Sequence, residues 1–196
     1  MHIAITGASS GIGAALAREL ANVQGVRLTL VARRKPLLDQ LAAELKVPMR
    51  VVPHDLSDPA RAADWIAAAE ETHGPIDVLV NNAGVQVVGP TASIDLAKAE
   101  EMLRGELRGT GVHVVTVYPG IIGETAMARA ALEKYQTSKV VSAQPVGTAA
   151  GLARLIRAAI EKRQPRVIYP RVNTLARWFP APTRWLLDRF TPAVRA

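Results

Sequence analysis

The amino-acid sequence predicts an α/β fold in which helices cover both faces of a doubly wound parallel sheet. Two observations support this prediction. Strand and helix patterns alternate along the chain with short connections, which is typical of parallel strands joined by crossover helices. A glycine-rich segment, residues 7–13, separates the first strand from the first helix. Six strand patterns occur along the chain.

The first four elements have the patterns of buried strands and amphipathic helices. His2–Thr6 is a short apolar run and predicts a buried strand. Ile12–Ala21 repeats apolar residues along one helical face. Val26–Ala32 is a second strand, and Pro36–Leu45 is a second helix. Proline is tolerated in the first turn of a helix, so Pro36 agrees with this start.

The next four elements continue the alternation. Met49–Val52 predicts a short third strand, and Pro59–Thr72 an alanine-rich helix that ends before Gly74-Pro75. Ile76–Val80 predicts the fourth strand, and Leu96–Leu107 a helix with its leucines on one side.

The last three elements complete a predicted domain over residues 1–170. They are the strand Val112–Val117, the helix Val146–Lys162 and the strand Arg166–Tyr169. Residues 171–196 form a C-terminal tail with five arginines, one acid, two of the three tryptophans and both phenylalanines. We expect this tail to pack on the domain. The alternatives are that the tail contacts an anionic membrane or another subunit.

Composition limits the class of protein. A chain of 196 residues with 49% hydrophobic and 21% charged residues is long enough for one globular domain. It has no cysteine, no leader pattern at its N-terminus and no apolar run of membrane-spanning length, so we expect a cytoplasmic protein. Much of the net charge of +7 lies in the tail, which argues against a nucleic-acid-binding surface on the domain.

The glycine-rich segment is suited to a dinucleotide. Gly7, Gly11 and Gly13 lie where the first strand turns into the first helix. Backbone without side chains can approach a pyrophosphate closely there, and the helix N-terminus offers N–H groups and a positive dipole end. Glycines at such turns also serve close packing alone, and the spacing differs from the commoner G-x-G-x-x-G pattern. The segment therefore needs support from the rest of the chain.

Four motifs in a fixed order give that support. They are Thr6-Gly7-Ala8-Ser9-Ser10-Gly11-Ile12-Gly13, Asp55-Leu56 after the third strand, Asn81-Asn82-Ala83-Gly84 after the fourth, and Pro119-Gly120 after a later one. In these motifs the chain resembles the short-chain dehydrogenase/reductase family, whose domain is Rossmann-like. The resemblance covers residues 1 to about 92 and a second block from about 104 to 170.

The resemblance implies a role for each matching residue. The phosphates and ribose would lie against Gly7, Ser9, Ser10, Gly11, Ile12 and Gly13, and the adenine against Asp55 and Leu56. Asn81, Ala83 and Gly84 would pass beneath the adenosine ribose, and Pro119, Gly120 and Ile122 would border the nicotinamide. For Asp55 a turn or helix cap before Ser57-Asp58-Pro59 is an equal alternative.

The end of the second strand predicts which cofactor is preferred. An acid there would bind the 2′-hydroxyl of NAD and repel a 2′-phosphate. This chain instead has Arg33 and Arg34, with no acid before Asp39. Guanidinium groups suit a phosphate by charge and geometry, so NADP(H) is favoured over NAD(H). The alternative is a solvated basic turn.

The catalytic segment that the resemblance implies is absent. The family uses a Tyr as acid, a Lys four residues later, a Ser and an Asn. Residues 85–118 contain no Tyr-x-x-x-Lys, no Asn and only Ser93 as a serine. Tyr135 and Lys139 have the right spacing but lie after Pro119-Gly120, and a general acid must first be positioned at the reacting atom. We therefore assign no catalytic residue, and the four histidines show no metal-ligand spacing.

This gap corresponds to one αβ repeat, with a seam near Gly105. Removal of one repeat can leave the crossover right-handed, so the resemblance implies six strands in the order 3-2-1-4-5-6 instead of the family's seven. Three hypotheses follow: a cofactor-binding protein with little or no turnover, an NADP(H)-dependent reductase that uses a non-standard acid such as Tyr135, and an inactive deletion product of a longer enzyme. The first is the one we favour. The sequence does not indicate the substrate or the oligomeric state.

Overall fold

The computed structural model describes residues 1–58, 60–84, 109–134 and 145–171. The chain forms two compact units. The first unit contains residues 1–85, 124–126 and 148–154, and the second contains the remainder. The domain predicted over residues 1–170 stays a prediction. The predicted tail, apart from Arg171, and the predicted helix Leu96–Leu107 lie outside the described residues.

The first unit is built on a four-stranded parallel sheet. Its strands are β1 (His2–Thr6), β2 (Arg27–Ala32), β3 (Met49–Pro53) and β4 (Val78–Val80), in the order β3-β2-β1-β4. β1 is the inner strand between β2 and β4, and all of its residues are buried. The predicted order 3-2-1-4 is confirmed, and the fold is a Rossmann-like α/β fold.

Three helices accompany this sheet: α1 (Gly11–Leu20), α2 (Lys35–Glu44) and α3 (Trp65–His73). The apolar positions of α1 repeat at helical spacing, and Leu16 and Leu20 are buried. Trp65 and Ala69 of α3 form a buried cluster with Ala4 and Val31 of the sheet. Burial of this apolar surface stabilises the unit.

The second unit contains a pair of parallel strands, β5 (Thr116–Pro119) and β6 (Arg166–Tyr169). Ile122 forms an isolated parallel bridge with Gly147. The helices α4 (Ala126–Lys134) and α5 (Ala149–Glu161) begin in the first unit and continue into the second. The buried residues of α5 recur at helical spacing and are Ala149, Leu152, Ala153, Ile156 and Ala159.

The structure corrects the predicted start of the third helix. The helix begins at Trp65 and not at Pro59, which lies outside the described residues. Local hydrogen bonds hold the preceding residues in turns: Asp58 accepts from the N–H of Ala60 and of Arg61, through its side chain and its carbonyl respectively. Aspartate side chains compete with helical bonding in this way.

Two other boundaries and the sheet itself also differ from the prediction. The strand predicted over Val112–Val117 begins at Thr116, and Val112 is exposed. The helix predicted from Val146 begins at Ala149, because Thr148 accepts a hydrogen bond from the N–H of Gly151 and so precedes the first turn. The described strands form a sheet of four and a sheet of two. The single six-stranded sheet is therefore not confirmed.

Candidate functional site

The loop between β1 and α1 leaves an open helix N-terminus. Gly7 and Gly11 have positive φ angles, +65° and +57°, which glycine adopts without strain. Ser10 precedes the helix in an extended conformation, and its side chain makes no capping hydrogen bond. The first turn of α1 contains no acidic residue. The first N–H groups of a helix lack intrahelical acceptors, so this end of α1 can bind an anion.

Two glycines allow this loop to pack tightly. A Cβ atom at Gly7 would lie 2.9 Å from both Ala83 Cα and Asn82 Nδ2. A Cβ atom at Gly13 would lie 2.5 Å from the carbonyl oxygen of Gly7 and 2.7 Å from Asn82 Nδ2. Real Cβ atoms do not approach other atoms so closely. The glycines are therefore required by the packing of the loop itself as well as by any ligand.

Thr6 and Asn82 join the glycine loop to the end of β4. The Thr6 hydroxyl accepts hydrogen bonds from the N–H groups of Asn82 and Ala83, each at 3.0 Å, and donates to the carbonyl of Val80. The Asn82 side-chain amide donates to the carbonyls of Thr6 (3.0 Å) and Gly7 (3.3 Å). We call this network the Thr6–Asn82 clamp. It fixes the relative position of the carboxyl ends of β1 and β4.

The basic residues after β2 reach the same loop. Arg34 Nη2 donates to Ser9 Oγ at 3.0 Å and to Ser10 Oγ at 2.8 Å. Arg33 is exposed, and its charge acts on Asp55. Asp39, the next acid along the chain, forms an ion pair with Lys35 at 2.6 Å. Two guanidinium groups, one of them beside two hydroxyls, therefore lie at the end of β2.

Asp55 caps a turn after β3. Its Oδ1 accepts a hydrogen bond from the N–H of Ser57 at 3.0 Å, which is the turn alternative derived from the sequence. Hydrogen bonds from the backbone and side chain of Ser57 lower the pKa of Asp55, and the charge of Arg33 acts in the same direction. The carboxylate is exposed and remains ionised at neutral pH. Leu56 packs against the cluster around Trp65. The adenine contacts of both residues stay predictions.

The other predicted cofactor residues fall into two groups. Asn81, Ala83 and Gly84 follow β4 and are exposed, and Ile12 lies in the first turn of α1. Pro119, Gly120 and Ile122 belong to the second unit. There the N–H of Gly120 donates to the carbonyl of Tyr169 at 2.6 Å, and Ile122 is buried.

A groove of about 550 Å³ extends from the glycine loop along α1. Arg18 and Glu44 form an ion pair across its far end, at 2.7 Å. Near the loop it is lined by Glu124, whose Oε2 accepts a hydrogen bond from the N–H of Ala149 at 2.9 Å. The groove lies beside α1 and α2, on the helix side of the glycine loop. We therefore place the candidate nucleotide site at the carboxyl ends of the strands, where Arg34 and the Thr6–Asn82 clamp lie.

Thr6 and Asn82 belong to the site but were not among the predicted site residues. A signal for Thr6 was available, because a hydroxyl at the end of a buried strand needs a hydrogen-bond partner. No such signal separates Asn82 from Asn81, since only the packing shows which amide faces the loop.

The catalytic candidates Tyr135 and Lys139 lie outside the described residues. Within the described part of the chain, no cluster of three or more His, Cys, Asp or Glu residues could hold a metal ion. None of the described helices combines the length and the apolar character needed to cross a membrane.

Comparison with known proteins identifies the family. The short chain dehydrogenase model matches residues 1–104, just over half of the 196 residues. This chain belongs to the short-chain dehydrogenase family. It is 35% identical over 153 residues to an NADP-dependent 3-hydroxy acid dehydrogenase of Schizosaccharomyces pombe, which covers 76% of this chain and 54% of that protein.

A further curated relative is similar in sequence, and two solved structures are similar in fold. An uncharacterized oxidoreductase of Staphylococcus epidermidis is 33% identical over 111 residues, 57% of this chain and 47% of that protein. The chain thus spans about half the length of these curated relatives. A short-chain dehydrogenase from Sphingobium yanoikuyae in complex with NADPH has a TM-score of 0.67 at 24% identity, covering 100% of this chain and 98% of that one. YwfH, an NADPH-dependent reductase involved in bacilysin biosynthesis, has a TM-score of 0.73 at 17% identity over 86% and 96%.

Proposed function

We propose that this chain binds NADP(H) at the carboxyl ends of β1, β2 and β4, with little or no turnover. The observation that carries the proposal is the contact of Arg34 with both Ser9 and Ser10 beside the uncapped start of α1. A guanidinium, two hydroxyls and free helix N–H groups are all donors, and phosphates are acceptors. Relatives that are named as NADP-dependent or were solved with NADPH support the choice of ligand.

The residues present fit a dinucleotide. The Cβ-free positions Gly7 and Gly13 bring the backbone of the loop against the Thr6–Asn82 clamp, which would hold the pyrophosphate end of the site in shape. Arg33 and Arg34 would hold the 2′-phosphate, and Asp55 would accept from the adenine amino group. The pKa of Asp55 is lowered by its hydrogen bonds from Ser57, which keeps this acceptor ionised.

Little or no turnover is proposed from the sequence of residues 85–118. When it is bound, the nicotinamide supplies or accepts a hydride. The family's reaction also needs an acid held at the substrate oxygen, with a Lys to support it, and residues 85–118 contain no Tyr-x-x-x-Lys. Positioning and proton transfer each contribute large factors to such rates. Without these groups, binding would persist while hydride transfer becomes slow.

Titration of the purified chain with NADPH and with NADH, followed by nicotinamide fluorescence, tests the binding. We expect NADPH to bind more tightly than NADH. Arg34→Ala should weaken NADPH binding about tenfold, as expected for loss of a charge-assisted contact to phosphate, and should change NADH binding less. Lys35→Ala is the matched control, because Lys35 is the neighbouring cation but is paired with Asp39.

Equal affinity for the two dinucleotides, or equal losses in Arg34→Ala and Lys35→Ala, would contradict the assignment of NADP(H). Turnover is tested separately with NADPH and a panel of aldehydes and ketones. Activity that Tyr135→Phe abolishes would establish the alternative reductase. If neither dinucleotide binds, the third hypothesis, an inactive deletion product, would replace the proposal.

A further inference from the structure

Two histidines meet at the amino end of the sheet, at the opposite end of β1 from the glycine loop. His2 opens β1 and is completely buried. His73 is the last residue of α3. Their rings are in edge-to-face contact, with centroids 5.3 Å apart and planes inclined by 77°. Neither residue has a part in the proposed cofactor site.

His2 holds the connection between α3 and β4. Its Nδ1 lies 2.7 Å from the carbonyl oxygen of Gly74, which can only accept, so Nδ1 carries the proton. Its Nε2 forms a hydrogen bond with the Thr29 hydroxyl at 2.9 Å. The backbone N–H of His2 donates to Asp77 Oδ2 at 2.6 Å, and the N–H of Asp77 donates to the carbonyl of His2. Residues 74–77 are thus attached to β1 by three hydrogen bonds.

His73 is in a poor position to carry a charge. Its Nε2 is buried and has no hydrogen-bond partner within the described part of the chain. The positive charges of Arg27 on β2 and Arg50 on β3 act on His73. Among the acids of the neighbouring elements, Glu70 accepts from the N–H of Ile76, Asp77 accepts from the N–H of His2, and Glu71 is exposed on α3. An imidazolium at His73 would therefore be desolvated and repelled.

From this geometry we propose that His2 and His73 form an acid-sensitive latch, and that protonation of His73 releases residues 74–77 from β1. β4 spans only Val78–Val80, about 10 Å at ~3.3 Å per residue. Release at its start therefore reaches the Thr6–Asn82 clamp at its other end. At low pH the opened latch loosens the carboxyl ends of the strands, so the affinity for the nucleotide decreases. This regulatory consequence rests on the proposed function.

The pKa of His73 supports the same direction. Burial lowers it, followed by the influence of His2, Arg27 and Arg50, while a hydrogen bond with the backbone of Thr72 acts in the opposite direction. His73 therefore binds a proton more weakly in the folded protein than it does once the connection opens, so a fall in pH favours the opened form.

Hydrogen exchange of the purified full chain at pH 7.5 and 5.5, corrected for intrinsic exchange rates, tests the latch. We expect the amides of residues 74–80 to lose protection at the lower pH, by at most about tenfold, which is the limit for one group whose pKa is about 6.5 in the opened state. His73→Phe keeps an aromatic ring against His2 but does not titrate, and should show no such loss. His113→Gln, at an exposed histidine of the second unit, should behave as the wild type.

Full protection of residues 74–80 at pH 5.5 in the wild type, or an equal loss in His73→Phe, would overturn the latch. If His73→Phe does not fold, His73→Gln replaces it with the same two outcomes. The affinity for NADP⁺, measured at both pH values, then shows whether opening of the latch weakens nucleotide binding. If NADP⁺ does not bind at pH 7.5, the proposed function fails, whereas the exchange result still decides the latch.

Discussion

At the amino ends of β1 and β4, side chains close the sheet against solvent, whereas at the carboxyl ends hydrogen-bond donors are left open. His2 has both ring nitrogens hydrogen-bonded and its ring in contact with His73. At the other end, Ser10 makes no capping hydrogen bond, and Gly84 has open space around it. A network holds the strands at each end, but at the carboxyl end it lies beside a helix N-terminus that a ligand could satisfy.

This difference separates the end of the sheet whose side chains stabilise the first unit from the end whose groups are available to a ligand. Buried polar groups that are paired stabilise a fold, whereas unpaired donors at a surface favour a ligand. The Thr6–Asn82 clamp combines both properties. Its polar groups are hydrogen-bonded to one another, and it supports the open glycine loop. Substitutions at the two ends should therefore separate stability from binding.

The largest effect is expected at Gly13. In Gly13→Ala the new Cβ would meet the carbonyl oxygen of Gly7 and the side chain of Asn82, so the loop must shift. Overpacking of this kind costs about 1–3 kcal/mol, and we expect the upper part of that range because one contact is with backbone. Urea denaturation measures the free energy of unfolding. Gly84→Ala, where nothing lies within 4 Å of the added Cβ, is the control, and an equal loss in both variants would contradict this account.

Thr6→Val is expected to rank second. It leaves the N–H of Ala83 without its acceptor, while the N–H of Asn82 keeps only its contact with the carbonyl of Val80 at 3.1 Å. This loss costs about 2 kcal/mol, and it should also weaken nucleotide binding. Thr29→Val removes one hydroxyl contact, to His2, from the amino end. It should cost about 1 kcal/mol and leave nucleotide affinity at pH 7.5 unchanged. Parallel denaturation and binding titrations measure both quantities, and equal effects of the two variants on binding would remove the distinction between the ends.

Sequence patterns predicted the elements whose packing is local or uniformly buried. The apolar runs of β1 and β2 and the stop of α3 at Gly74 agree with the structure within a residue or two. The start of α3 did not, because the hydrogen bonds of Asp58 to Ala60 and Arg61 compete with the helix. The β-branched run after Val112 has a strand pattern, but only its last residues pair with β6.

The candidate site was predictable in its glycines and basic residues but not in its internal order. Gly7 and Gly13 stand out in the sequence because they recur where the first strand turns into the first helix. That Arg34 contacts Ser9 and Ser10 depends on the distance between two loops that are remote in sequence. The same holds for Asn82, whose neighbour Asn81 has an identical side chain and is exposed.

A smaller effect is expected from pH acting on the amino end. The pKa of His73 is lowered in the folded state relative to about 6.5 in the unfolded chain. Between these two values the unfolded state binds more protons, so stability is fully present above about pH 6.5 and is lost as the pH falls. The slope cannot exceed about 1.4 kcal/mol per pH unit for one group. Denaturation at pH 7.5 and 5.5 should show a smaller decrease in His73→Phe than in the wild type, and an equal decrease would assign the effect to other groups.

The smallest effect is expected for the ion pair between Arg18 and Glu44, which links α1 to α2 near their C-terminal ends. Both side chains are about half exposed, at 50% and 51%, and surface pairs of this kind contribute ~0–1 kcal/mol because solvent screens them. Glu44→Gln should therefore change the free energy of unfolding by less than about 0.5 kcal/mol, and less still in high salt. Nucleotide affinity should not change, because the pair lies at the far end of the groove along α1. A loss of NADPH binding in Glu44→Gln that matched the loss in Arg34→Ala would move the binding site from the carboxyl ends of the strands into that groove.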